Sequence, residues 1–198
     1  LICKELKGKG VYIGIDADET AFLESDLKRE DGPEIHLIND NFANLSEILS
    51  SLNIKKVDAV LADLGWRTDQ FTDGGKGFSF SADEPLLMTY GDPEKYTFTA
   101  YDIVNDWDEE NIADVLYGYA EERHSRRIAK GIVMARKYGA ITTAKQLSSI
   151  IESSVPVFYK KGKINPSTKT FQAMRIAVND ELGKLEKFIA VAIDALNV

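Results

Sequence analysis

Cysteine is almost missing from this chain: Cys3 is the only one in 198 residues. That excludes a disulfide-stapled scaffold. Histidine is nearly as scarce, with His36 and His124 isolated from each other and from Cys3. No metal site is expected, because neither residue has a thiol or second imidazole at ligand spacing. Long apolar runs are lacking too, and none approaches the roughly 18 residues that a membrane helix needs. The opening residues, LICKELKGKG, contain no apolar h-region, so no signal peptide is expected. Positive charge is in deficit, with 24 Lys and Arg against 32 Asp and Glu and a net charge of −8. As an average, that argues against a nucleic-acid partner. What is present is a globular composition: 44% hydrophobic and 28% charged, too apolar for a disordered chain. The length suits one good core, or one domain carrying a second as an insertion.

The first 65 residues alternate between strand and helix patterns. Val11-Tyr12-Ile13-Gly14-Ile15 is a buried-strand run ending in Asp16-Ala17-Asp18. Thr20 to Leu27 has a helical pattern, and Glu34 to Ile38 predicts a second strand. Phe42 to Leu52 predicts a helix, with Leu45, Ile48, Leu49 and Leu52 at helical spacing. Val57 to Leu61 predicts a third strand, ending in Asp63-Leu64-Gly65. Short strands separated by helices predict a parallel, doubly wound sheet. Residues 66–99 then read as a long loop. The chain is acidic from Asp83 to Glu122, with twelve Asp and Glu against one Lys. Helices are predicted over Asp108–Gly118, over Ala120–Lys137 ending at Gly139, and from a Thr142 or Thr143 cap to about Ser153. These suggest a helical insertion over residues 83–165. Pro166-Ser167-Thr168 signals another helix start, followed by an apolar stripe of Phe171, Met174, Val178, Leu182 and Leu185, and a last helix runs toward Leu196.

In doubly wound α/β proteins ligands bind at the carboxyl ends of the strands. Asp16 and Asp63 fall there. An acid at such a strand end can accept hydrogen bonds from the hydroxyls of an adenosine ribose, which serves nicotinamide cofactors and S-adenosylmethionine alike. It can equally be a turn residue. The glycine-rich loop that accompanies either cofactor is not in these residues.

Several motifs occur in a fixed order: Asp63-Leu64-Gly65, Gln70-Phe71, Gly77-Phe78-Ser79-Phe80 and Pro85-Leu86-Leu87-Met88. Tyr119-Ala120-Glu121-Glu122-Arg123, Arg127-Ile128-Ala129 and Ile141-Thr142-Thr143-Ala144-Lys145-Gln146-Leu147 follow. Last comes the eighteen-residue stretch Asn165 to Leu182, NPSTKTFQAMRIAVNDEL. Together these strongly resemble the bacterial MraW/RsmH family, S-adenosylmethionine-dependent methyltransferases that act on the exocyclic N4 amine of a cytidine in small-subunit ribosomal RNA. The resemblance runs over essentially the whole chain. It implies a Rossmann-like methyltransferase sheet, incomplete here, with an inserted all-helical domain. Residues 1–82 and 166–198 would form the methyltransferase part, and 83–165 the substrate-recognising insertion. The family's glycine-rich loop would end a few residues before Leu1, and its last strands would follow Val198. By motif, Asp16 is the implied ribose-binding acid, Phe42 packs near the adenine, Asp63 is the acid at the methyl-transfer centre and Gln70 is a further cofactor contact. The chain departs from the family at Trp66-Arg67-Thr68, where Val-Ser-Ser is usual. It departs again at Leu87 and Thr89, where an acid and an Arg are usual, and at Asn165, Ser167 and Lys169.

Methyl transfer to an amine is an in-line displacement, and holding the partners in line is most of the enzyme's task. A carboxylate such as Asp63 can accept an amine hydrogen bond as the nitrogen gains electron density. Trp66 offers a stacking face for a base, whereas Phe78 and Phe80 are expected to anchor the loop to the core. The stretch from Ser153 to Val178 has five basic residues and no acid: Lys160, Lys161, Lys163, Lys169 and Arg175. With the resemblance, the stretch from Lys160 to Arg175 is expected to contact RNA, Lys169 included, and so is Asn179, which shares one helical stripe with Gln172 and Arg175. The implied partner is small-subunit ribosomal RNA, in the cytoplasm, with no membrane, for a monomer or homodimer. A non-catalytic RNA- or ribosome-binding relative is the alternative. A nicotinamide-dependent enzyme rests on Asp16 alone.

Overall fold

The computed structural model describes residues 6, 9–17, 19–22, 32–64 and 75–197. The described elements are β1 (Val11–Asp16), β2 (Glu34–Asn39), α1 (Leu45–Ser51), α2 (Ala100–Asp106), α3 (Glu109–Ala120), α4 (Ser125–Ala135), α5 (Ala144–Ser154), α6 (Val157–Lys160), α7 (Ser167–Asn179) and α8 (Glu181–Ala195). Two compact units emerge, Leu1–Ala62 with Leu182–Val198, and Asp63–Glu181.

In the first unit β1 and β2 run parallel, with Val11 opposite Glu34 and Asp16 opposite Asn39. Parallel pairing across an intervening segment fits an incomplete Rossmann-like α/β fold. Asn41 then starts a 3-10 turn, Phe42–Asn44, its side chain accepting from the Ala43 N–H at 2.9 Å. The turn leads into α1, whose Leu45 and Leu49 pack with Phe188, Ala192 and Ala195 of α8. Ile13, Ile15 and Phe42 close over this small core.

The expected third strand, Val57 to Leu61, does not form among the described residues. Val57 makes a single parallel bridge to Leu196, through Val57 N to Ala195 O and Asn197 N to Val57 O, both 2.9 Å. Beyond it Leu61 is 78% exposed. The run has strand-forming residues, but a strand also needs a neighbouring ladder, and none is described beside residues 58–61. The helix expected from Thr20 to Leu27 appears as a 3-10 turn, Glu19–Phe22; its later residues lie outside those described.

The second unit is helical. Its fully buried side chains include Leu86, Met88, Ile103, Ile112, Leu116, Ile128, Ile132, Leu147, Ile151 and Met174. The α3 helix packs against α4 and α7, and α4 against α5. Two capping boxes fix helix starts: Thr99 with Asp102 on α2, and Thr143 with Gln146 on α5. The α2 helix was not foreseen, because its Thr99 cap lies in a stretch that otherwise reads as loop. Arg136 clamps the end of α2, donating to the carbonyls of Val104 at 3.1 Å and Trp107 at 2.8 Å.

The segment from Gly75 to Thr99 is tied to this core. Phe78 is buried and stacks on Tyr90 with ring centroids 5.7 Å apart, and Phe80 meets Phe171 edge-on at 5.8 Å. Both rings anchor the segment, as expected. Gly77 has φ +76°, and a Cβ there would lie 2.3 Å from the Pro85 carbonyl oxygen, so only glycine fits the crossing.

The stripe expected to continue from Phe171 to Leu185 is broken. Asp180 takes a left-handed conformation, φ 48°, and separates α7 from α8. Phe171, Met174 and Val178 join the second unit's core, Leu182 is 52% exposed, and Leu185 joins the first unit's core. By contacts, residues 166–181 pack with the helices of the second unit.

Candidate cofactor edge and RNA surface

The carboxyl ends of β1 and β2 bring two predicted residues to one edge. Asp16 ends β1, and its carbonyl accepts from Asn39 Nδ2 at 3.2 Å and from Asp40 N at 3.1 Å. The Asp40 carboxylate accepts from Asn41 N at 2.6 Å and Asn44 Nδ2 at 2.8 Å, which fixes the turn that carries Phe42. Phe42 lies edge-on to Phe188, centroids 5.3 Å apart. The edge thus holds the Asp16 and Asp40 carboxylates, the amide side chains of Asn39, Asn41 and Asn44, and an aromatic ring. That donor set suits a nucleoside: the acid accepts from ribose hydroxyls and the ring offers an apolar face.

Asp63 is exposed and lies outside any helix or strand, at the start of the second unit. Trp66 and Gln70 lie outside the described residues. Leu87 and Thr89 put no charge where the family pattern has an acid and an Arg. Thr89 is fully buried, and its hydroxyl donates to the Gly91 carbonyl at 3.1 Å.

The expected RNA stripe on α7 is not one surface. Gln172 is exposed, but Asn179 is only 2% exposed. Its Nδ2 donates to Met88 O at 2.7 Å and Arg175 O at 2.8 Å, and its Oδ1 accepts from Tyr90 N at 3.0 Å. The Arg175 side chain is 13% exposed and forks onto Glu181, Nε to Oε1 at 2.8 Å and Nη2 to Oε2 at 3.1 Å. Tyr90 donates its hydroxyl to the same Oε1 at 2.8 Å. Burial, and then the Glu181 charge, hold the Tyr90 phenol well above its ordinary range. The correction is physical: equal spacing puts residues on one face, but that face meets the Met88–Tyr90 segment at its end. Arg175 and Asn179 are struts between segments. Lys169 keeps partial exposure while donating to the Glu121 carbonyl at 3.0 Å.

A second cluster escaped the sequence reading. Glu122 follows α3 at a left-handed cap, Glu121 with φ 49°, and is fully buried. Its Oε1 accepts from His124 N at 2.8 Å and its Oε2 from the Tyr159 hydroxyl at 2.7 Å. The Arg123 guanidinium lies over the Tyr159 ring, 5.1 Å from its centroid. Burial, followed by the bond to Glu122, pushes the Tyr159 phenol up to about 12. The Tyr119–Arg123 motif was the available signal. Helical periodicity could not show that the second of two adjacent glutamates turns inward after a cap.

A shallow hollow of about 470 Å³ is lined by Asp106, Trp107, Asp108, Asn111, Asp114 and Val115. Its acidity suits no phosphate. Among the described residues no group of three or more His, Cys, Asp or Glu is placed to hold a metal, and no helix is long and apolar enough to cross a membrane.

Comparison with known proteins adds direct findings. The MraW methylase family matches over residues 1–198. A "Ribosomal RNA small subunit methyltransferase H" of Brevibacillus brevis is 39% identical over 203 residues, covering 100% of this chain and 62% of the relative. Proteins of the same name in Desulfosudis oleivorans and Deinococcus radiodurans are each 41% identical. They cover 98% and 94% of this chain, and 62% and 58% of their own length. The chain therefore spans about three fifths of the curated relatives it matches.

Proposed function

Because the chain belongs to the MraW methylase family, we propose that the protein methylates the exocyclic N4 amine of a cytidine in small-subunit ribosomal RNA. The observation that carries this reading is the family match along all 198 residues. S-adenosylmethionine, when bound, supplies the methyl group on a sulfonium. Asp16, at the end of β1, would accept from the ribose hydroxyls, and Phe42, in the turn after β2, would cover the adenine. Gln70 would add a further contact. Asp63 would accept a hydrogen bond from the target amine and so raise electron density on its nitrogen. Orientation of amine and methyl in line would supply most of the acceleration.

In this reading β1 and β2 belong to a larger doubly wound sheet, with residues 1–82 and 166–198 in the methyltransferase part. Residues 83–165 serve as an inserted helical domain that recognises substrate. Trp66, Lys169 and Gln172 remain as RNA contacts. The work is cytoplasmic, where ribosomal RNA is found.

The test is S-adenosylmethionine-dependent labelling of small-subunit RNA by the full-length protein. Asp63→Ala is expected to lower the rate at least about a hundredfold, the usual scale for losing such a group. Undiminished labelling would remove Asp63 from the reaction. Calorimetry with S-adenosylmethionine separates the non-catalytic alternative, which predicts RNA binding with no cofactor binding.

A further inference from the structure

The corner formed by α6 and the residues after it combines an exposed aromatic ring with a run of cations. Phe158 is 67% exposed, a large aromatic ring facing solvent. Lys160, Lys161 and Lys163 follow it, all exposed, in a stretch with no acid from Ser153 to Val178. An isolated four-residue helix would not hold a ring in place. Here its neighbour does: Tyr159 is bonded to buried Glu122 at 2.7 Å and lies under Arg123. The His124 ring approaches both, 4.7 Å from Tyr159 and 6.3 Å from Phe158. Tyr159 therefore works as an inward anchor, and Phe158 is presented outward beside four cations.

We propose that this corner is a second RNA contact: an unpaired base stacks on Phe158, and the flanking phosphates meet Arg123, Lys160, Lys161 and Lys163. An exposed ring amid cations is the chemistry by which proteins hold single strands, where every base offers a π-face and the backbone supplies charge. Glu122, next to Arg123, faces inward with both oxygens engaged, while Glu121 and Glu152 are exposed at the margins. A membrane surface fits less well, because α6 is a single turn and gives no extended apolar face. The inference rests on the RNA-directed reading above and names a site apart from Asp63 and the strand edge.

The experiment measures binding of the full-length protein to a single-stranded oligonucleotide of small-subunit RNA sequence, by fluorescence anisotropy over a range of salt. Phe158→Ala is expected to weaken binding about tenfold, the scale of one lost base stack, while Phe158→Tyr retains it. Replacing Lys160, Lys161 and Lys163 together by Gln should lower the slope of log affinity against log salt by about 2. Tyr117→Ala, an exposed ring on the acidic α3, should leave binding unchanged. Cofactor binding by calorimetry should be the same in all variants, which excludes misfolding. Unchanged RNA affinity in both the Phe158→Ala and the triple-lysine protein overturns the inference. So does equal loss on Tyr117→Ala. Binding of the wild type to anionic phosphatidylserine vesicles, lost in Phe158→Ala while RNA binding is kept, also overturns it. If the wild type never labels RNA but binds it in a Phe158-dependent way, the methyltransferase reading fails and the corner stands.

Discussion

The two units differ in what their elements need in order to form. In the helical unit two helices start on a Thr cap with a reaching Asp102 or Gln146, and the helices turn apolar residues inward. Its core is continuous and includes ten or more side chains with almost no exposure. In the sheet-bearing unit the core is smaller, and most residues of β1 and β2 are only half-buried. The helices satisfy their backbone internally, whereas a strand is completed by a neighbour distant in sequence. Val57 shows the consequence, with one bridge and then exposed chain.

Three substitutions test this contrast. Leu116→Ala, in the helical core, should cost about 2–5 kcal/mol, read as a lower denaturant midpoint. A much smaller cost would mean that the core is less tightly packed than its burial indicates. Tyr159→Phe should cost about 1 kcal/mol by leaving the buried Glu122 with one partner fewer. It also carries a pH signature. Folding raises the Tyr159 phenol from 10.0 to about 12, so its contribution is complete below pH 10 and is lost as pH rises toward 12. Stability against pH should therefore flatten over that window in Tyr159→Phe; Tyr90, shifted in the same direction, keeps part of the fall. The smallest effect is expected at Leu61→Ser, within about 0.5 kcal/mol, since the side chain is largely in solvent. A larger loss at Leu61 would reveal a partner for the segment and narrow the contrast between the units.

The helix starts at Thr143 and Ser167 were legible because periodicity and caps are local, and the parallel pairing of β1 with β2 because two short strands separated by a connecting segment imply it. Three things were not. The α2 helix was hidden because its short span sits among turn residues. The break at Asp180 was hidden because a left-handed Asp has no distinctive neighbour pattern, unlike a glycine. Burial of Asn179 was hidden because spacing assigns a face but not what that face meets. Among site residues, the position of Asp16 at a strand end followed from strand order, whereas Phe42 came by motif alone. The inward turn of Glu122 was not legible, since it depends on a cap one residue earlier.

Asn179 sits inside the longest stretch that carries the family resemblance, yet its three hydrogen bonds all go to this chain's own atoms. In a genetic screen scored by the proposed modification of ribosomal RNA, Asn179→Ala would behave as a temperature-sensitive allele, recovering at low growth temperature. A lesion in substrate contact would persist at every temperature. Growth temperature alone would thus separate the residues of that stretch that hold the fold from those that serve the proposed activity.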